Sequence, residues 1–277
     1  MRTGWRAAGP ALTGVMTLLI GAVTLTGCTS AAGAGADDRV APAATVTALT
    51  TGFARLQAGL DGSAGLAIAP VGGRSVLRLG DWTTGAAWST IKVPLAVAAL
   101  RNRPGEERDD AEAAITVSDN DAAERLWLSL GDAGQAANAV QSVLREGGDE
   151  TTVVQQYPFG ETSWALTDQV RFAAHLPCLP QAGPVVGLMD SIDPGQSWGL
   201  GGLPRVSFKG GWGPDDRTGA YLARQFGLVP TLTGTVAVAV AAQPKSGSFD
   251  DAVTMLNQMT ALLEKYVSDL YGGLCRS

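Results

Sequence analysis

Histidine is nearly missing from this 277-residue chain, His175 being the only one. Lysine is almost as scarce, confined to Lys92, Lys209, Lys245 and Lys265, and the cysteines are Cys28, Cys178 and Cys275. Each shortage excludes something. One imidazole and no C-x-x-C leave no His/Cys cluster able to hold zinc, so no metal and no cofactor is expected. The net charge is −6 and the pI is near 4.8, without the basic stripe of a nucleic-acid binder, so no nucleic-acid partner is expected. Apolar runs are short as well: the one from about 11 to 25 is too brief and too glycine-rich for a confident membrane span. What is abundant is small and apolar. Hydrophobic residues make up 45% of the chain, enough for a sizeable core, and the length suits one medium domain plus an export segment, or two small lobes sharing a core.

The chain opens with Arg2 and Arg6, then the apolar run, then Leu25-Thr26-Gly27-Cys28. This resembles a bacterial lipobox, in which the cysteine is lipidated and becomes the first residue. The resemblance implies a signal peptide over 1–27, a lipid on Cys28, and an extracytoplasmic domain anchored to the bacterial cell membrane. Residues 28–43, small, polar and punctuated by proline, read as a flexible tether, and 44–277 as the folded domain. An oxidising compartment disfavours free thiols, so Cys178 and Cys275 are expected to form a disulfide; the alternative is two buried, unpaired thiols.

Leu49, Phe53, Leu56 and Leu60 recur on one face, predicting a helix over 45–60. Two β-runs follow at 64–71 and 75–79 around Gly72-Gly73. The alanine-rich 90–100 predicts a buried helix, 102–110 an exposed charged connection, and 119–130, 135–145 and 164–176 further helices. Residues 195–202 read as a glycine-rich loop, 205–212, 221–228 and 232–241 as three strands, and 250–270 as a last helix. Strands contributed by both chain ends, with helices between, suit an α+β (α/β) sandwich with an antiparallel sheet.

Three short motifs carry the chemistry. Ser89-Thr90-Ile91-Lys92 puts a serine and a lysine three residues apart, on one face of a helix. A serine hydroxyl needs a base to take its proton, and a lysine amine serves when burial lowers its pKa. A serine at a helix start also brings free N–H groups toward an oxyanion. Ser118-Asp119-Asn120 opens a helix, where Ser or Asp is an ordinary N-cap; in the catalytic reading Ser118 relays a proton to the leaving group, while Asn120 holds Lys92 or a substrate amide. Lys209-Gly210-Gly211 lies in a strand, where two glycines admit a close backbone or ligand. His175 sits in an apolar helix pattern and no G-x-S-x-G elbow accompanies it, so a Ser-His-Asp triad has little support.

S-x-x-K, S-D-N and a near K-T-G, in that order, form the signature of class A β-lactamases and penicillin-binding proteins, a serine hydrolase superfamily. Residues 89–100 resemble that family's nucleophile helix and 113–123 its S-D-N segment; Leu203-Pro204 before the Lys209 strand is also similar. The resemblance extends over most of 45–272. It implies a three-layer sandwich, a five-stranded antiparallel sheet flanked by helices, with the site between sheet and helical lobe. It also implies Ser89, Lys92, Ser118 and Asn120 as catalytic residues and Lys209, Gly211 and Trp212 as substrate-binding ones, with an oxyanion hole from the N–H groups of Ser89 and Trp212. The expected partner is a β-lactam or a peptidoglycan-like amide.

Three departures qualify it. Only 29 positions separate Ser89 from Ser118, so the helical lobe is reduced and the cleft more open. No E-x-x-L-N pattern lies between 144–154 and Glu161, so the carboxylate that would activate the deacylating water is absent; Glu161 reads as a loop-end acid. Gly210 replaces a Thr or Ser whose hydroxyl helps bind a substrate carboxylate, leaving Arg205, Arg217 or Arg224 to compensate. Two functions follow: an acyl-transferring serine hydrolase with weak deacylation, or a non-catalytic binding lipoprotein on the same scaffold.

Overall fold

The computed structural model describes residues 39–103, 105–215 and 218–275. The signal segment, Cys28, most of the tether and Arg217 lie outside them. Among the described residues no helix is long and apolar enough to cross a membrane.

Helix α1 (Ala43–Gly59) buries Thr45, Leu49 and Phe53, the face its periodicity marks. Val40 and Ala41 are already buried, and the Tyr271 N–H donates to the Val40 carbonyl at 2.8 Å, so the chain is packed down before the expected end of the tether at 43. Next come β1 (Gly62–Pro70) and β2 (Leu77–Gly80), joined through Gly72, whose φ of 69° favours glycine. A short β3 (Thr84–Ala86) leads to a 3₁₀ turn, Trp88–Ile91, and to α2 (Lys92–Asn102). Every residue of α2 from Lys92 to Leu100 is buried. Pro94 is tolerated because it lies in the first turn, where the missing N–H has no helical partner.

The stretch 102–110 departs from expectation. Helix α3 (Arg108–Thr116) begins inside it. Asp109 and Asp110 sit in its first turn, where they complement the positive end of the helix dipole. Ala111, Ala114 and Ile115 supply a buried stripe, and the Asp110 carboxylate takes a two-pronged contact from Arg125, at 3.0 and 2.6 Å. The expected connection between the two helices is thus shorter than read, ending where α3 starts at Arg108.

Helices α4 (Asn120–Ser129) and α5 (Ala133–Glu146) follow; Asp132 and Gln135 form a reciprocal capping box at the start of α5, with bonds of 2.9 and 2.8 Å. Then come β4 (Ser163–Ala165), pairing with β3, α6 (Leu166–His175) and a short α7 (Gly183–Leu188). The glycine-rich loop contains two 3₁₀ turns, Pro194–Gln196 and Gly199–Gly202. The chain closes with β5 (Ser207–Pro214), β6 (Tyr221–Pro230), β7 (Thr235–Pro244) and α8 (Phe249–Glu264), which stops six residues before the expected end at 270.

The sheet is antiparallel throughout, in the order β2-β1-β7-β6-β5. Strand β7 is central and alternates Val236, Val238 and Val240 with Ala237, Ala239 and Ala241, all buried, because helices cover both faces. Helix α8, with α1 against it, lies on one face and α6 on the other; α2 gathers α3, α4 and α5 into the helical lobe. This is the expected three-layer sandwich. Cys178 and Cys275 form the expected disulfide, tying the turn after α6 to the C-terminal tail.

Candidate active site

Ser89 sits in the 3₁₀ turn rather than in the helix proper, and α2 begins only at Lys92. The turn is entered through Trp88, whose φ of 48° is unusual for a residue with a side chain. Three neighbours hold it. The Ala87 N–H donates to the Thr162 carbonyl at 2.8 Å, and the Thr90 hydroxyl donates back to the Ala87 carbonyl at 2.5 Å. Strand β5 presses from the side: a Cβ on Gly211 would lie 2.7 Å from the Ser89 nitrogen, and one on Gly213 2.7 Å from the Trp88 indole. Only glycine permits these approaches, as the pair of glycines after Lys209 suggested for Gly211.

Lys92 is 3% exposed and points away from solvent toward the α3–α4 junction. Its Nζ donates to the Ser118 carbonyl at 2.7 Å and to Asn120 Oδ1 at 2.7 Å, with Ser118 Oγ farther off at 3.4 Å. The expected Ser89–Lys92 contact is not made: among the described residues the Ser89 hydroxyl has no hydrogen-bond partner. Two strong acceptors match the two N–H bonds of a neutral amine and leave its lone pair free. Burial, partly offset by the Asp119 charge, lowers the Lys92 pKa to about 8.

Ser118 has a φ of 61°, which turns its hydroxyl into the cleft while Asp119 caps α4 by accepting from the Ala122 N–H at 2.7 Å. Asp119 is thus the N-cap that the tripeptide offered, while Ser118 and Asn120 on either side of it both meet Lys92. Lys209 Nζ donates to Ser118 Oγ at 3.0 Å and to the Gly210 carbonyl at 3.0 Å. Lys209 is fully buried, and burial together with the nearby Lys92 charge lowers its pKa to about 7. Ser118 thus stands between both motif lysines, 26 and 91 positions away in sequence.

No protein-family model matches the sequence, and no curated protein matches it. Solved structures do match in shape. The candidate class A β-lactamase PenP of Rhodopseudomonas palustris is 20% identical over 79% of this chain and 99% of its own, with a TM-score of 0.62. For the TLA-1 extended-spectrum β-lactamase the values are 14%, 80%, 98% and 0.66. For a variant of the chromosome-encoded β-lactamase of Vibrio parahaemolyticus they are 15%, 79%, 99% and 0.59. The chain has the class A β-lactamase fold.

Within that fold the motif residues Ser89, Lys92, Ser118, Asn120, Lys209 and Gly211 meet at one place, where β5 runs along the Ser89 turn, with Trp212 next on the strand. Other expectations are corrected. Arg224 does not compensate for Gly210. Fully buried, its guanidinium gives Nη1 to the carbonyls of Gly85, Ala86 and Trp164 at 3.0, 3.0 and 3.2 Å, and Nη2 to Gln169 Oε1 at 2.9 Å. Gln169 Nε2 in turn donates to the Thr90 hydroxyl at 3.0 Å. Arg224, Gln169 and Thr90 form a buried brace under the nucleophile turn, with the arginine over the Trp82 ring at 5.1 Å. Burial lowers the Arg224 pKa to about 9. Arg205 is exposed, two residues before β5.

Glu161 closes a 3₁₀ turn, Phe159–Glu161, and has no side-chain hydrogen bond or ion pair to a described residue. His175 ends α6 with Nδ1 on the Arg171 carbonyl at 2.9 Å, a structural role. Gln169 and Trp198 escaped the sequence reading, which had named Arg224 only as a partner for a substrate carboxylate. The available signal was a Gln or Arg embedded in an apolar run, as in Leu222-Ala223-Arg224-Gln225-Phe226.

Proposed function

We propose that this protein is an acyl-transferring serine hydrolase that acylates readily and deacylates slowly, as a lipoprotein held to the outer face of the bacterial cell membrane through Cys28. The observation that carries the reading is the shared Ser118 hydroxyl between two buried lysines of lowered pKa, beside a serine whose own hydroxyl is uncommitted. Perturbed titratable groups gathered in one cleft are what acyl transfer needs.

Neutral Lys92 takes the proton of Ser89 as the Ser89 oxygen attacks the carbonyl carbon of a β-lactam, a peptidoglycan-like amide or an ester. The oxyanion faces the N–H groups of Ser89 and Trp212. Collapse breaks the bond from carbonyl carbon to leaving group. Ser118 gives its proton to the departing nitrogen or oxygen and recovers one from Lys92, so protons balance and Lys92 returns to the amine. Asn120 keeps Lys92 in place and Lys209 orients the Ser118 hydroxyl. Release of the acyl group needs a base for water, and among the described residues no carboxylate hydrogen-bonds to Ser89, Lys92, Ser118 or Lys209. Loss of a general base slows such a step by about 10²–10⁴-fold. A binding-only role would not need the pKa of two lysines lowered around one hydroxyl.

The test is intact-protein mass spectrometry of the purified full-length chain, mixed with a penicillin and separately with a phenyl ester, and followed for hours. One long-lived adduct on Ser89, lost in Ser89→Ala, is the expected result. No adduct and no consumption of either compound would sink the hydrolase reading, as would labelling that survives Ser89→Ala.

A further inference from the structure

We infer that one end of the sandwich is a membrane-contact surface, where the β6–β7 turn and the C-terminal tail present Leu232 and Leu274 to the lipid bilayer. The inference rests on the reading of Cys28 as lipidated.

The anchored side of the chain enters the fold at this end. Cys28 stands 12 residues before the buried Val40, so even a fully extended path keeps the lipid within about 40 Å of Val40. The Val40 carbonyl accepts from the Tyr271 N–H at 2.8 Å, which puts the point of entry beside the tail. The tail in turn lies on the β6–β7 turn. The Gly272 N–H donates to Thr233 Oγ1 at 2.8 Å, and Thr235 and Gly273 exchange backbone bonds of 3.0 and 2.9 Å. Thr233 and Leu274 line one cleft with Val71 and Gly72. Entry point, tail and turn therefore share one end of the sheet.

Two leucines stand out from that end. Leu232 on the turn is 85% exposed, the highest value among the large apolar side chains described, and Leu274 on the tail is 70% exposed. Both sit on fixed backbone. The Thr231 N–H closes the turn by donating to the Gly234 carbonyl at 2.8 Å. The tail is pinned by Gly273, where a Cβ would run into the Val71 carbonyl, and by the bridge from Cys275 to Cys178. A lone exposed leucine is ordinary on a protein surface; two on neighbouring rigid segments, where the chain arrives from its anchor, form a patch. The other exposed large apolar side chains, Val117, Leu128, Val153 and Tyr157, belong to the helical lobe and the loop after it.

The charge pattern agrees. The chain carries −6, yet no charged residue occurs in 226–244 or in 270–275. Neither the turn nor the tail therefore opposes an anionic bilayer with a carboxylate, and the exposed Arg39 adds a cation next to Val40. Anchoring makes the contact intramolecular, so a small patch is enough to orient the domain. Along β7, Thr235 lies six residues from Ala241, which is level with Arg224 and, through it, with Gly211 of the site. The site is then held about 20 Å from the lipid, measured along the strands.

The experiment uses the full-length lipidated chain in vesicles of phosphatidylglycerol and phosphatidylethanolamine. A thiol-reactive, environment-sensitive dye is attached at Leu232→Cys and, for comparison, at Leu128→Cys on the helical lobe; the bridge and the lipid occupy the native cysteines. Emission from position 232 should shift to the blue and be quenched several-fold more strongly by nitroxide-bearing lipid than emission from position 128. Adding Leu274→Asp should return much of the 232 signal toward its value in water, with Tm unchanged because Leu274 is exposed. Equal quenching at 232 and 128 in vesicle-bound chain would overturn the contact surface and leave the anchor standing. A blue shift at 232 without lipid quenching, growing with protein density, would assign the patch to a second copy of the chain and overturn it as well. A chain with no lipid mass on Cys28 that stays out of the vesicles would remove both readings.

Discussion

Lys209→Met should make this protein more stable at pH 6, although it removes a residue of the site. Lys209 is fully buried, its hydrogen-bond acceptors are the neutral Ser118 hydroxyl and Gly210 carbonyl, and its pKa falls from 10.5 to about 7. Above pH 10.5 the amine is neutral whether the chain is folded or not, and nothing is lost. Between pH 10.5 and about 7 the unfolded chain holds a proton that the native chain does not. Native stability then falls as pH falls, by about 1.4 kcal/mol per pH unit. Below about pH 7 both states are protonated and the whole penalty, about 3–5 kcal/mol, is present. Methionine keeps the length and apolar contacts without the charge, at the loss of two hydrogen bonds worth about 1 kcal/mol each. The variant should therefore exceed the wild type by about 1–3 kcal/mol at pH 6, with the gap closing or reversing by pH 10. Urea unfolding midpoints of both proteins at pH 6, 8 and 10 read this directly. A gap that does not change with pH, or a wild type more stable at pH 6, would refute the reasoning.

Two further outcomes can be checked. The rate of Ser89 acylation should rise about tenfold per pH unit at low pH and level off above about 8, where Lys92 is neutral; a flat profile from pH 5.5 to 9 would remove Lys92 as the base. Because Lys92 and Lys209 share Ser118, the observed midpoint belongs to the pair. Cys178→Ser opens a cross-link between residues 97 apart and should lower stability by about 2–5 kcal/mol, visible as a fall in Tm, while Ser89 still acylates; an unchanged Tm would count against the bridge as a stabiliser.

The motif residues were legible because each motif is local. Ser89 and Lys92, or Ser118 and Asn120, are linked by spacing alone. Most helices and strands were legible from their patterns, since α1 and α5 bury the faces their periodicity marks and β7, buried on both faces, reads as an unbroken apolar run. Helix α3 was missed because its outer face is dense in charge, and only the partners of Ala111, Ala114 and Ile115 make its inner face a face. The Ser89–Lys92 contact was expected from helical spacing, yet a 3₁₀ turn under Ser89 and two acceptors at 2.7 Å redirect the amine.

By itself the sequence determined the main helices and strands of the sandwich, the three motifs and the loss of the hydroxyl at 210. Tertiary structure decided what those residues do to one another. It joined Ser118 to Lys209 across 91 positions, hid Arg224 beneath the nucleophile turn, and laid Trp198 over Gly210. The physical reason is that a backbone pattern encodes which way a side chain faces along its own element. Burial, pKa and contact depend on which other element arrives there, and that is fixed only when the sheet and the helical lobe close on each other.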